Sequence, residues 1–142
     1  MNLNETMLRQ IIMDHYNNPQ FKSIDSSWKI KRYNSPTCID DITIGLVLEN
    51  NTIKKIGFSG IACAICTSST DIMIQEIKGK TVLEANKIIE NYLNMIKGKE
   101  FNEDELNELI AFKNVNRQPS RVNCATLGIN LIKEMINEQK SN

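Results

Sequence analysis

Four cysteines are the residues of this chain best suited to chemistry: Cys38, Cys63, Cys66 and Cys124. The first residues show no apolar export segment, so we expect a cytoplasmic protein whose thiols stay reduced. Reduced thiols favour metal binding or thiol chemistry over a disulfide framework. Asp40 lies two residues after Cys38 and offers a carboxylate beside the first thiol.

Three thiols from distant segments, together with a carboxylate, suit zinc, which takes four ligands from Cys, His or Asp side chains. Cys63 and Cys66 form a single C-x-x-C motif, whereas a zinc ribbon would contain two. The spacing alone therefore leaves two alternatives open. The cysteines are unrelated thiols packed in the core, or the C-x-x-C motif is a redox pair at the start of a helix.

Three other polar residues have both a functional and an ordinary interpretation. Asp40 follows a loop that contains Pro36, where an aspartate commonly serves as a turn residue. His15, the single histidine of the chain, falls on the apolar side of a predicted helix, where we expect a packed side chain rather than a ligand. Arg121 lies close to the last cysteine and is either functional or simply solvated.

Length and charge restrict the classes of partner. The 142 residues suit one domain over 1–142, and the 41% hydrophobic and 24% charged residues are typical of a globular chain. Seventeen basic residues balance seventeen acidic ones, which gives no electrostatic reason to expect nucleic acid or an anionic membrane as partner. The charge-free stretch 56–70 is shorter and more polar than the roughly 20 apolar residues of a membrane-spanning helix.

Hydrophobic periodicity predicts the elements that must position these residues. A helix is followed by three strands and then by further helices, which is an α+β order. Asn50 and Asn51 indicate a tight turn between the second and third strands, because Asn tolerates positive φ. The predicted helices cover 3–16, 64–77, 81–97, 102–112 and 123–139, and the predicted strands cover 28–33, 42–48 and 52–59.

The cysteines fall at the ends of these elements. Cys38 lies in the loop before the second strand, and Cys63 and Cys66 lie where the third strand gives way to a helix. Cys124 is placed at the start of the last helix, directly after Asn123 as the predicted N-cap. A helix N-terminus stabilises thiolate, which is both the metal ligand and the nucleophile.

Several longer motifs resemble a known family. The similarity extends over nearly the whole chain and is carried by residues 9–19, 34–41, 58–66 and 121–127, which read RQIIMDHYNNP, NSPTCIDD, FSGIACAIC and RVNCATL. They resemble the IscU/NifU N-terminal family, and most closely its SufU branch. The resemblance implies an IscU-like fold, in which a small three-stranded antiparallel sheet packs against several helices.

Two features favour the SufU branch over the scaffold proteins of IscU type. Cys124 follows Cys63 by 61 positions, which is longer than the spacing in the scaffolds and indicates a SufU-type insertion near 98–114. The scaffolds also carry a histidine before the last cysteine, where this chain has Asn123.

The resemblance implies a function and a set of site residues. Proteins of the SufU branch bind one zinc ion through residues that correspond to Cys38, Asp40, Cys63 and Cys124. They accept persulfide sulfur from a SufS-type cysteine desulfurase and pass it toward iron–sulfur cluster assembly proteins. The acceptor corresponds to Cys38, with Asp40 tuning the site and Arg121 matching a basic position beside it.

Two alternative functions remain on the same fold. One is a scaffold that builds a [2Fe–2S] cluster on the same three cysteines, and the other is a structural zinc protein without chemistry. Cys66 stands where the family usually has serine, and it is an idle neighbour, a fourth ligand or a resolving thiol. We predict a bystander, because positions i and i+3 of a helix share a face and bring its sulfur near the metal without binding.

Overall fold

The computed structural model describes residues 3–36 and 39–139. The chain order is one helix, three strands, two helices, a connecting segment of short 3-10 turns over residues 97–118, and a last helix. The helices are α1 (Glu5–Asn17), α2 (Ala64–Ile77), α3 (Val82–Ile96) and α4 (Pro119–Gln139), and the strands are β1 (Lys29–Asn34), β2 (Asp41–Glu49) and β3 (Thr52–Ile61). This is the predicted α+β arrangement.

The sheet is antiparallel throughout, with the strands in the order β1-β2-β3. Asn50 and Asn51 connect β2 to β3 with φ values of 53° and 57°, so both adopt the left-handed conformation and the predicted turn is confirmed. One face of the sheet is fully covered by helices. The buried residues on this face are Ile42, Ile44, Leu46, Ile53, Ile56 and Phe58.

Helix α2 lies at the centre of the molecule, and α1 and α4 both pack on it. Nearly all of its residues after the first turn are buried. Gly128 of α4 faces Thr70 of α2 so closely that a Cβ on Gly128 would lie 2.0 Å from the Thr70 hydroxyl oxygen. A glycine is therefore needed for the close approach of these two helices, which carry or adjoin the third and the last of the predicted ligands.

The loop between α1 and β1 is part of the packed structure. The amide of Phe58 donates to the carbonyl oxygen of Phe21 at 3.0 Å, so the loop pairs with the outer edge of β3. The amide of Phe21 in turn donates to the buried carboxylate of Asp71 at 2.9 Å. These contacts fix the loop to both the sheet and α2.

The connecting segment differs from the prediction of an α-helix over 102–112. Three short 3-10 turns occupy it, Glu103–Glu105, Asn107–Phe112 and Val115–Arg117. Asn107 has a φ of 49°, which an α-helix does not accommodate. The apolar residues that suggested a helix are nevertheless buried: Leu106 and Leu109 have no exposed surface, and Ile110 is 4% exposed. That this segment is a SufU-type insertion stays a prediction.

Helix α4 begins at Pro119, four residues before the predicted start. Proline favours the first position of a helix because its φ is already helical and it has no amide hydrogen to satisfy. The proposed N-cap role of Asn123 is therefore wrong, and Cys124 lies in the second turn of α4. No helix in the described part of the chain is long and apolar enough to cross a membrane.

Candidate metal centre

Asp40 is brought beside the start of α2 by the pairing of β2 with β3. In the antiparallel register Asp41 lies opposite Ile61, so the residue before β2 meets the residues that follow β3. Asp40 is only 1% exposed. Its Oδ1 accepts a hydrogen bond from the amide of Cys63 at 2.8 Å, and its Oδ2 lies 3.9 Å from the Cys63 sulfur. A buried carboxylate is thus held against a thiol.

A glycine makes this junction of strands and helix possible. Gly60 has a φ of 114°, and a Cβ there would lie 2.0 Å from the carbonyl oxygen of Asp41. Cys63 lies three residues after Gly60 and is the N-cap of α2, where its sulfur accepts from the amide of Cys66 at 3.4 Å. The predicted position of Cys63 at a helix start is confirmed.

Cys124 reaches the same place from α4. Its side chain is half-buried, and its sulfur lies 4.0 Å from the carbonyl oxygen of Ser120, one turn earlier. Next to it, the hydroxyl of Tyr92 donates to the carbonyl oxygen of Ala125 at 2.7 Å, which fixes this turn of α4 against α3. Cys124 is therefore positioned by helix packing and not by a helix end.

The structure brings together three of the four predicted ligands. One carboxylate oxygen of Asp40 and the sulfurs of Cys63 and Cys124 all lie within 4.8 Å of one another. Within the described residues, this is the one group of three or more potential metal-binding side chains with such spacing. Cys38 lies outside the described residues, so its predicted part in the site stays a prediction.

The charges of this group favour a cation. Burial, followed by the proximity of Cys63 and Asp40, raises the pKa of Cys124 to about 12. Groups that become anionic at such short range destabilise one another, whereas a divalent cation between them reverses that effect. Two thiol sulfurs and one carboxylate oxygen are a donor set that zinc accepts, with a fourth position left for another ligand.

The group is open to solvent from two sides. A cleft of about 740 Å³ on one side is lined by Asp40 and Cys124 together with Tyr33, Ser35 and Pro36. A second cleft of about 630 Å³ is lined by Cys63 and Cys124. A partner molecule therefore has room to approach the thiols.

Arg121 lies in the second cleft, exposed on the first turn of α4. The structure places it beside the thiols but gives it no defined contact with them. Arg9 of α1 lines the same cleft, and the sequence analysis did not single it out. Its position on the charged side of an amphipathic helix carries no signal that distinguishes it from other surface arginines.

Cys66 lies behind the group, with no exposed surface. Burial, and then the charges of Asp40 and Cys63, raise the pKa of its thiol. Its sulfur is not among the three converging atoms.

His15 is a packed residue, as predicted, and it lies in a buried polar network. Its Nδ1 contacts Asp71 at 2.6 Å and its Nε2 contacts Glu108 of the connecting segment at 3.2 Å. Burial alone would lower the pKa of His15, but these two carboxylates outweigh it and raise the pKa. The sequence contained one indication of this network. Asp71 is an aspartate in the middle of the most apolar helix, where a carboxylate needs a buried partner.

The comparison with protein families agrees with the motifs. The family model described as the NifU-like N terminal domain matches residues 7–94, which include Asp40 and Cys63. The chain belongs to this family. Cys124 lies beyond the matched region, on the helix that completes the group.

Curated relatives within the family carry two kinds of name. The zinc-dependent sulfurtransferase SufU of Bacillus subtilis is 35% identical over 124 residues, covering 87% of this chain and 84% of that protein. The iron–sulfur cluster assembly scaffold protein IscU of Thermotoga maritima is 29% identical over 131 residues, covering 92% of each. The family resemblance inferred from the motifs is confirmed.

A solved structure has the same fold. It comes from Fervidobacterium islandicum AW-1 and is described as a candidate iron–sulfur cluster assembly scaffold protein for the SUF system. The two structures superpose with a TM-score of 0.83 at 32% identity, covering 88% of this chain and 93% of that one. The predicted IscU-like fold is confirmed.

Proposed function

We propose that this chain is a zinc-dependent sulfur-transfer protein of iron–sulfur cluster assembly. It accepts persulfide sulfur from a SufS-type cysteine desulfurase and passes it to downstream assembly proteins. The observation that carries the proposal is the convergence of Asp40, Cys63 and Cys124 within 4.8 Å, with open clefts on both sides. The similarity to a relative named as a zinc-dependent sulfurtransferase supports it.

Four residues would hold the zinc ion: Cys38, Asp40, Cys63 and Cys124. The two sulfurs and the oxygen that converge in the described residues match the ligand chemistry of zinc, and Cys38 supplies the fourth donor. Bound zinc keeps thiols deprotonated and adds to the stability of the fold. Asp40 contributes the single oxygen, a harder donor than thiolate, so the site holds its thiols less tightly than four sulfurs would.

Cys38 is the sulfur acceptor in this proposal. Its thiolate attacks the outer sulfur of the persulfide on the desulfurase, so a new S–S bond forms on Cys38 and the cysteine thiolate of the desulfurase leaves. Of the three proposed thiol ligands, Cys63 caps α2 and Cys124 lies within α4. Cys38 is the one predicted from the sequence to lie in a loop, from which it can leave the metal most easily. Arg121, which lines the second cleft, would attract the anionic persulfide.

The experiment combines metal analysis with a desulfurase assay. The purified protein should contain about one zinc ion per chain and should raise alanine release by the desulfurase. Cys38→Ala should abolish that stimulation and leave the basal rate of the desulfurase intact. Asp40→Ala should retain some zinc and lose most transfer, and the control variant Cys66→Ser should keep both. Mass spectrometry should locate the persulfide on Cys38.

Two results would contradict the residues assigned in this proposal. A persulfide on Cys124 or Cys66, with Cys38→Ala still active, would remove the assigned acceptor. X-ray absorption that shows four sulfurs and no oxygen on zinc would replace Asp40 with Cys66.

A brown, iron-containing protein from anaerobic purification would favour a [2Fe–2S] scaffold. That second function has support of its own, because the IscU relative of similar coverage carries a scaffold name. A zinc protein that leaves desulfurase turnover unchanged would instead be a structural zinc protein.

A further inference from the structure

The pair Cys63 and Cys66 has a geometry that sulfur transfer does not use. Cys63 caps α2 in an extended conformation, with φ −66° and ψ 169°, and Cys66 is the third residue of the helix. The Cys63 sulfur lies 3.4 Å from the amide nitrogen of Cys66. That nitrogen is two bonds from the Cys66 Cβ, so the first sulfur already points toward the base of the second side chain.

The covalent geometry permits a bond between these two sulfurs. Residues three apart on an α-helix have Cα atoms roughly 5 Å apart, from the rise and radius of the helix. This value lies within the range of about 4.4–6.8 Å that disulfides span. Bonding therefore requires rotation of two side chains and no displacement of α2 from the core.

We propose that Cys63 and Cys66 form a reversible disulfide under peroxide, and that this bond withdraws Cys63 from the metal centre. Peroxide reaches Cys63 first, because Cys63 lines the open second cleft whereas Cys66 has no exposed surface. Cys66 is the resolving thiol. The pair is thus a modification site that lies next to the sulfur-transfer site and shares one residue with it.

The reaction balances in two steps. The Cys63 thiolate attacks one oxygen of hydrogen peroxide, which gives a sulfenic acid on Cys63 and releases hydroxide. The Cys66 thiol then displaces the sulfenic oxygen, which forms the S–S bond and releases water. Two electrons pass from the two thiols to the peroxide. A dithiol reductant reverses the process by thiol–disulfide exchange and returns both thiols.

Formation of the bond changes the donor set. A disulfide sulfur carries no negative charge and is a poor zinc ligand, since the thiolate is the ligand form of cysteine. Within the described residues, Asp40 and Cys124 would then remain as anionic donors. Zinc affinity should fall sharply, and sulfur transfer should stop until the disulfide is reduced.

Cys124 is the competitor of Cys66 for Cys63. Its sulfur lies within 4.8 Å of the Cys63 sulfur, but it belongs to a different helix. The position of that turn of α4 is set by the contact of Gly128 with Thr70 and by the hydrogen bond from Tyr92. Cys66 needs no relative movement of helices, so the bond within one helical turn is favoured.

Peptide mapping distinguishes the two bonds. Trypsin cuts after Lys55 and Lys78, so one peptide contains both Cys63 and Cys66, and Cys124 falls in a separate peptide that follows Arg121. Full-length protein, with and without zinc, is treated with stoichiometric hydrogen peroxide and then alkylated. We expect peptide 56–78 to lose two hydrogens and to escape alkylation, and dithiothreitol should reverse both changes.

Zinc release gives an independent measurement. A chromogenic chelator should report loss of zinc on the same timescale as disulfide formation, with recovery of zinc binding after dithiothreitol. In Cys66→Ser the recoverable release at low peroxide should slow about tenfold. The control Ser68→Ala removes a buried hydroxyl two residues further along α2 and should release zinc as the unaltered protein does.

Two results would overturn the inference. One is a cross-link between peptide 56–78 and the peptide that carries Cys124 or Cys38 as the main product. The other is unchanged, reversible zinc release in Cys66→Ser. The mapping on zinc-free protein needs neither metal nor desulfurase, and it still decides the question if Cys66→Ser fails to fold. It therefore tests the disulfide separately from the proposed sulfur transfer.

Discussion

At the scale of single residues, burial and hydrogen bonding separate the cysteines more clearly than their spacing does. Cys63 caps a helix, Cys124 lies within another, and Cys66 is enclosed behind them. The C-x-x-C motif in the sequence does not distinguish Cys63 from Cys66. In the fold, Cys63 borders an open cleft and lies beside the carboxylate of Asp40. Cys66 has no exposed surface, and its sulfur is not among the converging donor atoms.

The raised pKa of His15 leads to the first prediction. Asp71 and Glu108 face its two ring nitrogens and raise its pKa above the ordinary value of 6.5. The stabilisation that this group provides is fully present below pH 6.5 and is lost as the pH rises through the folded-state pKa. Glu108→Gln removes one carboxylate, so the pKa of His15 should fall and the decrease in unfolding free energy above pH 6.5 should become smaller.

The measurement is direct because His15 is the only histidine. One imidazole resonance followed by NMR gives its pKa, and urea unfolding at several pH values gives the stability. Glu103→Gln is the control, since Glu103 is exposed in the same connecting segment. An unchanged pKa of His15 in Glu108→Gln would show that Asp71 alone determines it.

At the scale of elements, the close contact of α4 with α2 provides a second prediction. Gly128→Ala gains helix propensity of about 1 kcal/mol, but its Cβ would lie 2.0 Å from the hydroxyl oxygen of Thr70. Thr70 is buried and its hydroxyl donates to the carbonyl oxygen of Cys66 at 2.8 Å, so moving the side chain away from the new Cβ would break this hydrogen bond. We expect a net loss of about 1–3 kcal/mol from overpacking.

Urea unfolding of zinc-free protein measures this loss without a contribution from metal. Asn130→Ala is the matched control, because it makes an alanine at an exposed position of the same helix and should leave stability nearly unchanged. Zinc affinity should also fall in Gly128→Ala, since Cys124 lies one turn away. An unfolding free energy equal to that of the unaltered protein would mean that α4 can shift away from α2 without loss of stability.

The cap of α3 provides a third prediction. Thr81 and Glu84 form a capping box, in which each side chain accepts from the backbone amide of the other. Thr81→Ala should lower the unfolding free energy by about 1 kcal/mol, as measured by thermal or urea unfolding. Thr52→Ala, which changes a half-buried threonine at the start of β3, is the comparison that tests whether the loss is specific to the cap.

The elements also show how far the sequence alone could lead. The Asn-Asn turn and the helix that follows the third strand are local signals, and each was read correctly. The start of α4 was missed because Pro119 was left in the segment between two predicted helices, although proline favours the first position of a helix. The 3-10 turns of the connecting segment were missed because their apolar residues are spaced as in a helix. The left-handed conformation of Asn107 cannot be recognised from hydrophobic periodicity.

Residue types and spacing alone predicted the candidate site less well than the resemblance to a known family did. Asp40 meets Cys63 because Asp41 pairs with Ile61, and a register between two strands is not readable from either strand alone. Cys124 joins them through the packing of α4 on α2, which depends on the small size of Gly128. Spacing alone therefore left core thiols as an alternative, and only the combined motifs indicated a shared site.

At the scale of the whole molecule, the candidate metal centre ties distant parts of the chain together. It joins the residue before β2, the N-cap of α2 and the second turn of α4. If zinc binds only the folded state, free zinc at 100 times its dissociation constant adds about 2.7 kcal/mol of stability. That gain corresponds to a rise in melting temperature of several degrees for a chain of this length.

Chelation should therefore lower the melting temperature, and calorimetry with and without a strong chelator measures the change. Cys124→Ser should melt at the lower temperature in both conditions, whereas Cys66→Ser should respond to the chelator as the unaltered protein does. Equal melting temperatures for the unaltered protein in both conditions would mean that no metal contributes to its stability.

The sequence positions of the three converging residues also determine the order in which they become available during synthesis. Asp40 and Cys63 are made early, whereas Cys124 follows Asp40 by 84 positions, which at about 5–20 residues per second is an interval on the order of several seconds. Until α4 has been made and has docked on α2, a growing polypeptide offers an incomplete set of donors. In the proposed function, metal loading would thus be a late step of synthesis, and a polypeptide that ends before α4 would bind zinc less tightly than the complete chain.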